Sequence, residues 1–137
     1  MTWNFLSVDA VIVLHTALIE ESGGSHGLRD AGLLESAIAR AANKVNYDPD
    51  ATVATVAASL GWGLIKNHAF VDGNKRIGLA ALVVFLDANG FSLICSVQEE
   101  TAMVLRAAAS EITEDEWTAW VVRNVAAIGK KVKRAGV

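Results

Sequence analysis

Apolar residues recur along this chain at the three-to-four-residue spacing of helices rather than the two-residue alternation of strands. Behind Ser7, a good N-cap, Val11, Leu14, Leu18 and Ile19 form a stripe that ends at Glu20-Glu21-Ser22-Gly23-Gly24. The glycine-rich stretch from Gly23 to Arg29 predicts a loop or short ribbon. A second amphipathic helix follows Asp30 and carries Leu33, Leu34, Ala37, Ile38 and Ala41. Tyr47-Asp48-Pro49 reads as a turn, with Asp50 as the cap of the next helix.

The third helix is predicted from about Ala51 to Asn67 and is apolar nearly all round, so it belongs at the centre of the fold. Gly61 and Gly63 cost helix stability there and imply close packing against a neighbour. The fourth helix, from about Asn74 to Asn89 with Gly90 as its stop, is equally apolar and equally central. Ser96-Val97-Gln98-Glu99 and Thr113-Glu114-Asp115-Glu116 are capping boxes. They open a fifth helix ending near Ser110 and a last helix carrying Trp117, Trp120, Val121 and Val125. Phe91-Ser92-Leu93-Ile94 is the one plausible strand. The predicted architecture is an all-α bundle of about six helices around two buried central ones, a single domain over 1–137 with its core at about 6–125.

Composition narrows the classes without choosing a function. The chain has 137 residues, 53% hydrophobic and 20% charged, enough for one well-filled core. A net charge of −3 speaks against nonspecific nucleic-acid binding by the whole surface. The basic tail at 130–137, Lys130-Lys131-Val132-Lys133-Arg134 within it, reads as a solvated end. The single cysteine, Cys95, excludes an intramolecular disulfide and a cysteine-cluster zinc site, and its apolar context suits a core residue. The segment Met1-Thr2-Trp3-Asn4 has no basic stretch leading into an apolar run, and the longest apolar run, Leu79 to Leu86, is too short to span a bilayer. The expectation is a cytoplasmic protein with no membrane partner.

The chemistry concentrates in His68-Ala69-Phe70-Val71-Asp72-Gly73-Asn74-Lys75-Arg76, between the two central helices. The start of a helix carries unpaired N–H groups and the positive end of the dipole, a natural seat for phosphate. Gly73 permits a tight turn and close backbone approach to an anion. Lys75 and Arg76 project about 100° apart yet both reach the terminus, and Arg76 offers bidentate phosphate bonding. Two cations at the positive end of a buried helix call for an anion. His68 can be a general base toward a hydroxyl, or a cap on the third helix. Asp72 can cap the fourth helix and hold Mg²⁺, which typically keeps one or two protein ligands beside phosphate oxygens. Asn74 can bond phosphate or brace the loop. Phe70 plugs the core and fixes the loop. Lys66 and Asn67 precede His68 and extend the same cradle. There is no G-x-x-x-x-G-K-[ST] and no G-x-S-x-G, and His15, His26 and His68 lack the i, i+4 pairing of a helical zinc site.

The string His68-x-Phe70-x-Asp72-Gly73-Asn74-Lys75-Arg76 resembles the signature of the Fic/Doc superfamily, and more closely its Doc, or death-on-curing, branch. Lys75 marks that branch, where Fic proteins proper usually have glycine. The segments Gly27-Leu28-Arg29-Asp30 and Gly32-Leu33-Leu34-Glu35-Ser36-Ala37 are similar to the family's flap and following helix, so the resemblance spans roughly Leu6 to Val125. It implies a Fic/Doc helical fold, with ATP and Mg²⁺ as cofactors. It implies the toxin of a type II toxin–antitoxin pair, a kinase acting on a Ser or Thr hydroxyl of elongation factor Tu and so blocking translation. AMP transfer, or a catalytically inactive antitoxin-binding co-repressor, are the alternatives. His68 would be the base, Asp72 the metal carboxylate, and Gly73, Asn74, Lys75 and Arg76 the phosphate cradle. Gly24, Ser25, His26, Gly27, Leu28 and Arg29 would form a flap that docks an extended target, or be an ordinary loop. Members that transfer AMP usually carry a second arginine three positions after the first; here that position is Leu79. No Fic inhibitory motif is present, which leaves neutralisation to a small antitoxin, and DNA would be reached only through that partner.

Overall fold

A computed structural model of the chain describes residues 2–128, so the expected basic tail at 130–137 lies outside the described residues. Its elements are α1 (Val8–Ser22), α2 (Ala31–Tyr47), α3 (Val53–Asn67), α4 (Asn74–Ala88), β1 (Phe91–Leu93), α5 (Val97–Ala108), α6 (Glu114–Arg123) and β2 (Val125–Ala127). The fold is the expected helical bundle. Among the described residues no helix is long and apolar enough to cross a membrane.

The all-round apolar character of α3 has its structural counterpart in its neighbours: α2, α4, α5 and α6 all pack on it, while α4 also meets α1, α5 and β1. Val56, Ala57, Leu60, Leu64 and Ile65 of α3 meet Ile77, Ala81, Leu82, Phe85 and Leu86 of α4 in one buried core. The two helices approach so closely at Gly61 and Gly78 that a Cβ on Gly61 would lie 3.2 Å from the Gly78 carbonyl oxygen. Gly63 makes the corresponding space for Arg40 of α2. Trp117 and Trp120 close the core from α6, and the Trp117 indole donates to the Ala58 carbonyl at 3.0 Å.

Three details depart from the sequence expectation. The cap of α3 is Thr52, not Asp50: Thr52 and Thr55 form a reciprocal box, while the Asp50 amide is drawn back to the Asp48 carboxylate in the preceding turn. The last helix stops at Arg123, because Asn124 ends it with its side-chain amide on the Trp120 carbonyl. Val125 therefore begins β2, antiparallel to β1 with Phe91 opposite Ala127 and Leu93 opposite Val125. Ser96 caps α5 by accepting from the Glu99 amide, without the reciprocal arm of a full box.

Candidate phosphate-binding and transfer site

The motif loop joins the C-terminus of α3 to the N-terminus of α4 through two left-handed residues, His68 (φ 50°, ψ 49°) and Gly73 (φ 76°, ψ 21°). Between them the chain is pinned from several sides. The Phe70 ring is buried in the core. Its amide donates to Asn74 Oδ1 and its carbonyl accepts from Asn74 Nδ2, both at 3.0 Å. Asn74 is itself buried, so loop bracing is what its side chain does. Ala69, Phe70 and Val71 also pair with the glycine-rich segment: Arg29 N donates to Ala69 O at 2.8 Å, Val71 N donates to Gly27 O at 3.0 Å, and Leu28 faces Phe70 in an antiparallel bridge.

That segment wraps the site. Ser25 N donates to Asp72 Oδ2 at 3.1 Å and Gly73 N to Asp72 Oδ1 at 2.8 Å. These amides, first Ser25 and then Gly73, hold the Asp72 carboxyl below the ordinary carboxylate range against the cost of desolvation, with help from the charges of Arg76 and Lys75. Arg76 Nη1 donates to Gly23 O at 2.8 Å, which holds its guanidinium across the same mouth. Gly24 lies against both groups: a Cβ there would sit 2.7 Å from Asp72 Oδ2 and 2.8 Å from Arg76 Nη2.

The N-terminus of α4 is the chemically open point. Ser7, Asp30, Thr52, Ser96 and Thr113 cap the other helices with side-chain oxygens, whereas no side-chain hydrogen bond caps α4. Its first backbone bond runs from Ile77 N to Gly73 O at 2.9 Å, which leaves the amides of Asn74, Lys75 and Arg76 without an intrahelical acceptor. The exposed His68 ring and exposed Lys75 flank this terminus, with Arg76 half-buried beside them. Asn74 Nδ2 lies 3.4 Å from His68 Nδ1, a long contact in which the amide can only donate to the ring.

Of the predicted site residues, His68, Phe70, Asp72, Gly73, Asn74, Lys75 and Arg76 share one loop and helix mouth. Lys66 does not join them. Its ammonium donates to Ala107 O at 2.9 Å and Ser110 Oγ at 2.7 Å, neutralising the C-terminus of α5, so it is no part of the cradle. Asn67 likewise turns to the Leu33 carbonyl of α2. In the flap, Arg29 points inward, with Nε 2.8 Å from the His68 carbonyl oxygen, and His26 pairs with Glu20 at 3.0 Å. Arg29 thus braces the backbone of His68.

Sequence reasoning passed over His15. It is buried on α1, donates from Nε2 to the Asp72 carbonyl at 2.7 Å and stacks on Phe70 at 3.8 Å. Its signal is a polar residue in register with Val11 and Ile19, the two buried apolar positions on either side.

Among the described residues no three His, Cys, Asp or Glu side chains cluster as a metal cage. Asp72 is a single ionised carboxylate beside an anion seat, which fits Mg²⁺ drawing its remaining ligands from phosphate and water. Cys95 is no competing nucleophile: burial, then the neighbouring Glu100 charge, push its thiol up to about 11.

The sequence model of the Fic/DOC family matches residues 5–86, the stretch from before α1 to near the end of α4. The chain is 32% identical over 108 residues to "Protein kinase doc" of Escherichia phage P1, covering 79% of this chain and 85% of that protein. It is 43% identical over 89 residues to "Toxin Doc" of Mycolicibacterium smegmatis, covering 58% of this chain and 62% of that protein.

Proposed function

The chain belongs to the Fic/Doc family, and from that premise we propose that it is the toxin of a bacterial toxin–antitoxin pair, acting in the cytoplasm as an ATP-dependent kinase on a Ser or Thr hydroxyl of elongation factor Tu. The observation that carries the reading is the bare N-terminus of α4, the helix without a side-chain cap, opening between Lys75, Arg76 and His68. A side-chain cap would take up one of the amides that an anion could use. The names of the relatives, a protein kinase and a toxin, support the same reading.

In this reading the phosphoryl oxygens of ATP rest on the amides of Asn74, Lys75 and Arg76, with the Lys75 and Arg76 side chains neutralising charge. Asp72 is the residue that would hold Mg²⁺, which supplies further charge neutralisation at the phosphates. The target hydroxyl oxygen attacks the γ-phosphorus while the bond from that phosphorus to the β–γ bridging oxygen breaks. The hydroxyl proton passes to the His68 imidazole, and ADP leaves with the bonding pair.

In the Leu28–Phe70 bridge, the hydrogen bonds of Gly27 and Arg29 face the motif loop, so the Leu28 amide and carbonyl face away from it. That outer edge would align an extended target segment by backbone pairing. Leu79 offers no second phosphate ligand, which favours phosphate transfer over AMP transfer. A small antitoxin is the partner required to neutralise the site.

The test is to incubate the purified protein with ATP, Mg²⁺ and elongation factor Tu, alone and in cell extract, and to weigh the products by mass spectrometry. A phosphate-sized gain that vanishes in His68→Ala is the expected result. An AMP-sized gain would replace the kinase reading by nucleotide transfer. Growth arrest that survives His68→Ala, with no modified protein, would leave a binding module instead.

A further inference from the structure

A buried imidazole on the first helix has no part in the transfer chemistry set out above, yet it touches the motif at its sharpest bend. His15 is 2% exposed. Burying a polar ring costs free energy unless it is hydrogen-bonded, and α1 buries apolar residues at the equivalent positions one turn away on either side, Val11 and Ile19. The partner of His15 is also unusual. Its Nε2 lies 2.7 Å from the carbonyl oxygen of Asp72, a main-chain group of the turn rather than of a helix or strand. A carbonyl only accepts, so Nε2 carries the proton in this contact.

The ring is held in roll as well as in reach. It stacks on Phe70 at 3.8 Å between centroids with 10° between planes. The Phe70 backbone is in turn gripped by Asn74 at the first residue of α4. The same imidazole walls the following residue: a Cβ on Gly73 would lie 3.4 Å from His15 Nε2. One side chain from α1 therefore meets the ring before the turn, the carbonyl within it and the left-handed residue that ends it.

We propose that His15 is a positioning residue for the transfer site: by donating to the Asp72 carbonyl and stacking on Phe70, it sets the peptide between Asp72 and Gly73, and with it the direction of the Asp72 carboxylate and the approach to the α4 amides. The inference rests on that helix mouth being the transfer site. Rotation of the Asp72–Gly73 peptide would swing the Gly73 amide, which donates to Asp72 Oδ1, and would pull Oδ2 from the Ser25 amide. The carboxylate offered to Mg²⁺ would be lost as a fixed ligand without any change to the residues that touch substrate.

Two variants separate the ring's two contacts. His15→Phe keeps an aromatic ring against Phe70 and removes the donor; His15→Gln keeps an N–H donor and removes the stack. The first measurement is the amide NMR spectrum of the nucleotide-free protein, read at Ser25 and Gly73. In His15→Phe both resonances shift, and in His15→Gln they return toward wild type. The second is transfer kinetics: His15→Phe lowers kcat at least tenfold and raises the Mg²⁺ concentration needed for half-maximal rate, and His15→Gln recovers part of both. A merely structural role would lower Tm in both variants and leave the Mg²⁺ dependence where it was. Wild-type resonances and wild-type kinetics in folded His15→Phe, or equal impairment of the two variants with unmoved resonances, would overturn the proposal. Resonances that follow the donor in a wild-type protein that transfers no phosphate would uphold the positioning contact and overturn the kinase reading instead.

Discussion

The guanidinium of Arg29 forks onto the carbonyl oxygen of His68, with Nε at 2.8 Å and Nη2 at 2.5 Å. His68 ends α3 in the left-handed region at φ 50°, a conformation that costs a β-carbon-bearing residue free energy and needs outside support. Arg29 supplies it at the point where the last carbonyls of α3 have no helical donor. Removing the fork should free the His68 backbone and misplace the imidazole. Arg29→Ala is expected to lower kcat about 100-fold, the scale of a catalytic group displaced by about 1 Å. Arg29→Lys, a point charge that cannot fork, should recover only part of the loss. Steady-state kinetics of phosphate transfer check both, and an Arg29→Ala enzyme of wild-type kcat would show that His68 needs no clamp.

The flap meets the site most tightly at Gly24. A Cβ there would press on the ends of Asp72 and Arg76, and φ is +116°, so Gly24→Ala also strains the backbone. Gly23 separates the two effects, since its φ is +84° and nothing lies near an added Cβ. Each alanine should cost about 1–3 kcal/mol of stability through backbone strain. Gly24→Ala alone should move the carboxylate and guanidinium and reduce transfer at least tenfold. Thermal melts and transfer rates on the two variants test this, and equal rates would mean that the flap contact is idle.

Much of this arrangement is legible in the sequence. The apolar stripes and caps located the helices to within a few residues, and the nearly uniform apolarity of α3 and α4 marked them as central. The motif was legible because its residues are contiguous and Gly73 takes the left-handed turn its position implies. What escaped were contacts made across long stretches of chain. Nothing within the sequence near Lys66 shows that its ammonium belongs to the end of α5, and nothing near Arg29 shows that it faces His68. β2 was hidden for a different reason: Val125-Ala126-Ala127 is too short to have a period, and its pairing with β1 decides its conformation. His15 left a faint signal as a polar break in an apolar stripe, but its acceptor lies in another element.

The Asp72 clamp carries a pH signature of definite sign. The Ser25 and Gly73 amides, aided by Arg76 and Lys75, lower its pKa below the ordinary 3.8. A depressed carboxylate contributes stability that is full above its unfolded value and is lost as pH falls through the folded one. The Ser25 and Gly73 amide resonances should therefore share an acid transition that lies below the ordinary carboxylate value. Asp48, lowered by the Asp50 amide and Lys44, contributes a separate acid transition, so the local resonances and not the global melt are the proper readout. In Asp72→Asn the coupled movement should disappear along with Mg²⁺-dependent transfer. Joint titration at or above the ordinary value would mean that the flap does not hold the carboxylate.

The two central helices that flank the motif loop nearly touch at Gly61 and Gly78. A Cβ on Gly78 would run into Ile65 Cγ1 and come 3.1 Å from the Gly61 carbonyl oxygen, neither of which can swing aside in a filled core. Relief of helical glycine would favour Gly78→Ala by about 1 kcal/mol, but overpacking typically costs about 1–3 kcal/mol and comes here with backbone collision as well. The net effect should be destabilising, with a Tm lower by roughly 5 °C. Gly32, exposed at the start of α2 with only Asp30 Oδ1 at 3.4 Å from an added Cβ, has no such neighbour. Gly32→Ala should be neutral or gain about 0.5–1 kcal/mol. Because helix spacing sets where the α4 amides lie relative to His68, Gly78→Ala should also lose transfer activity at temperatures where it is fully folded, while Gly32→Ala keeps it. Equal melting temperatures and rates for the two would refute the idea that this glycine contact sets the distance across the site.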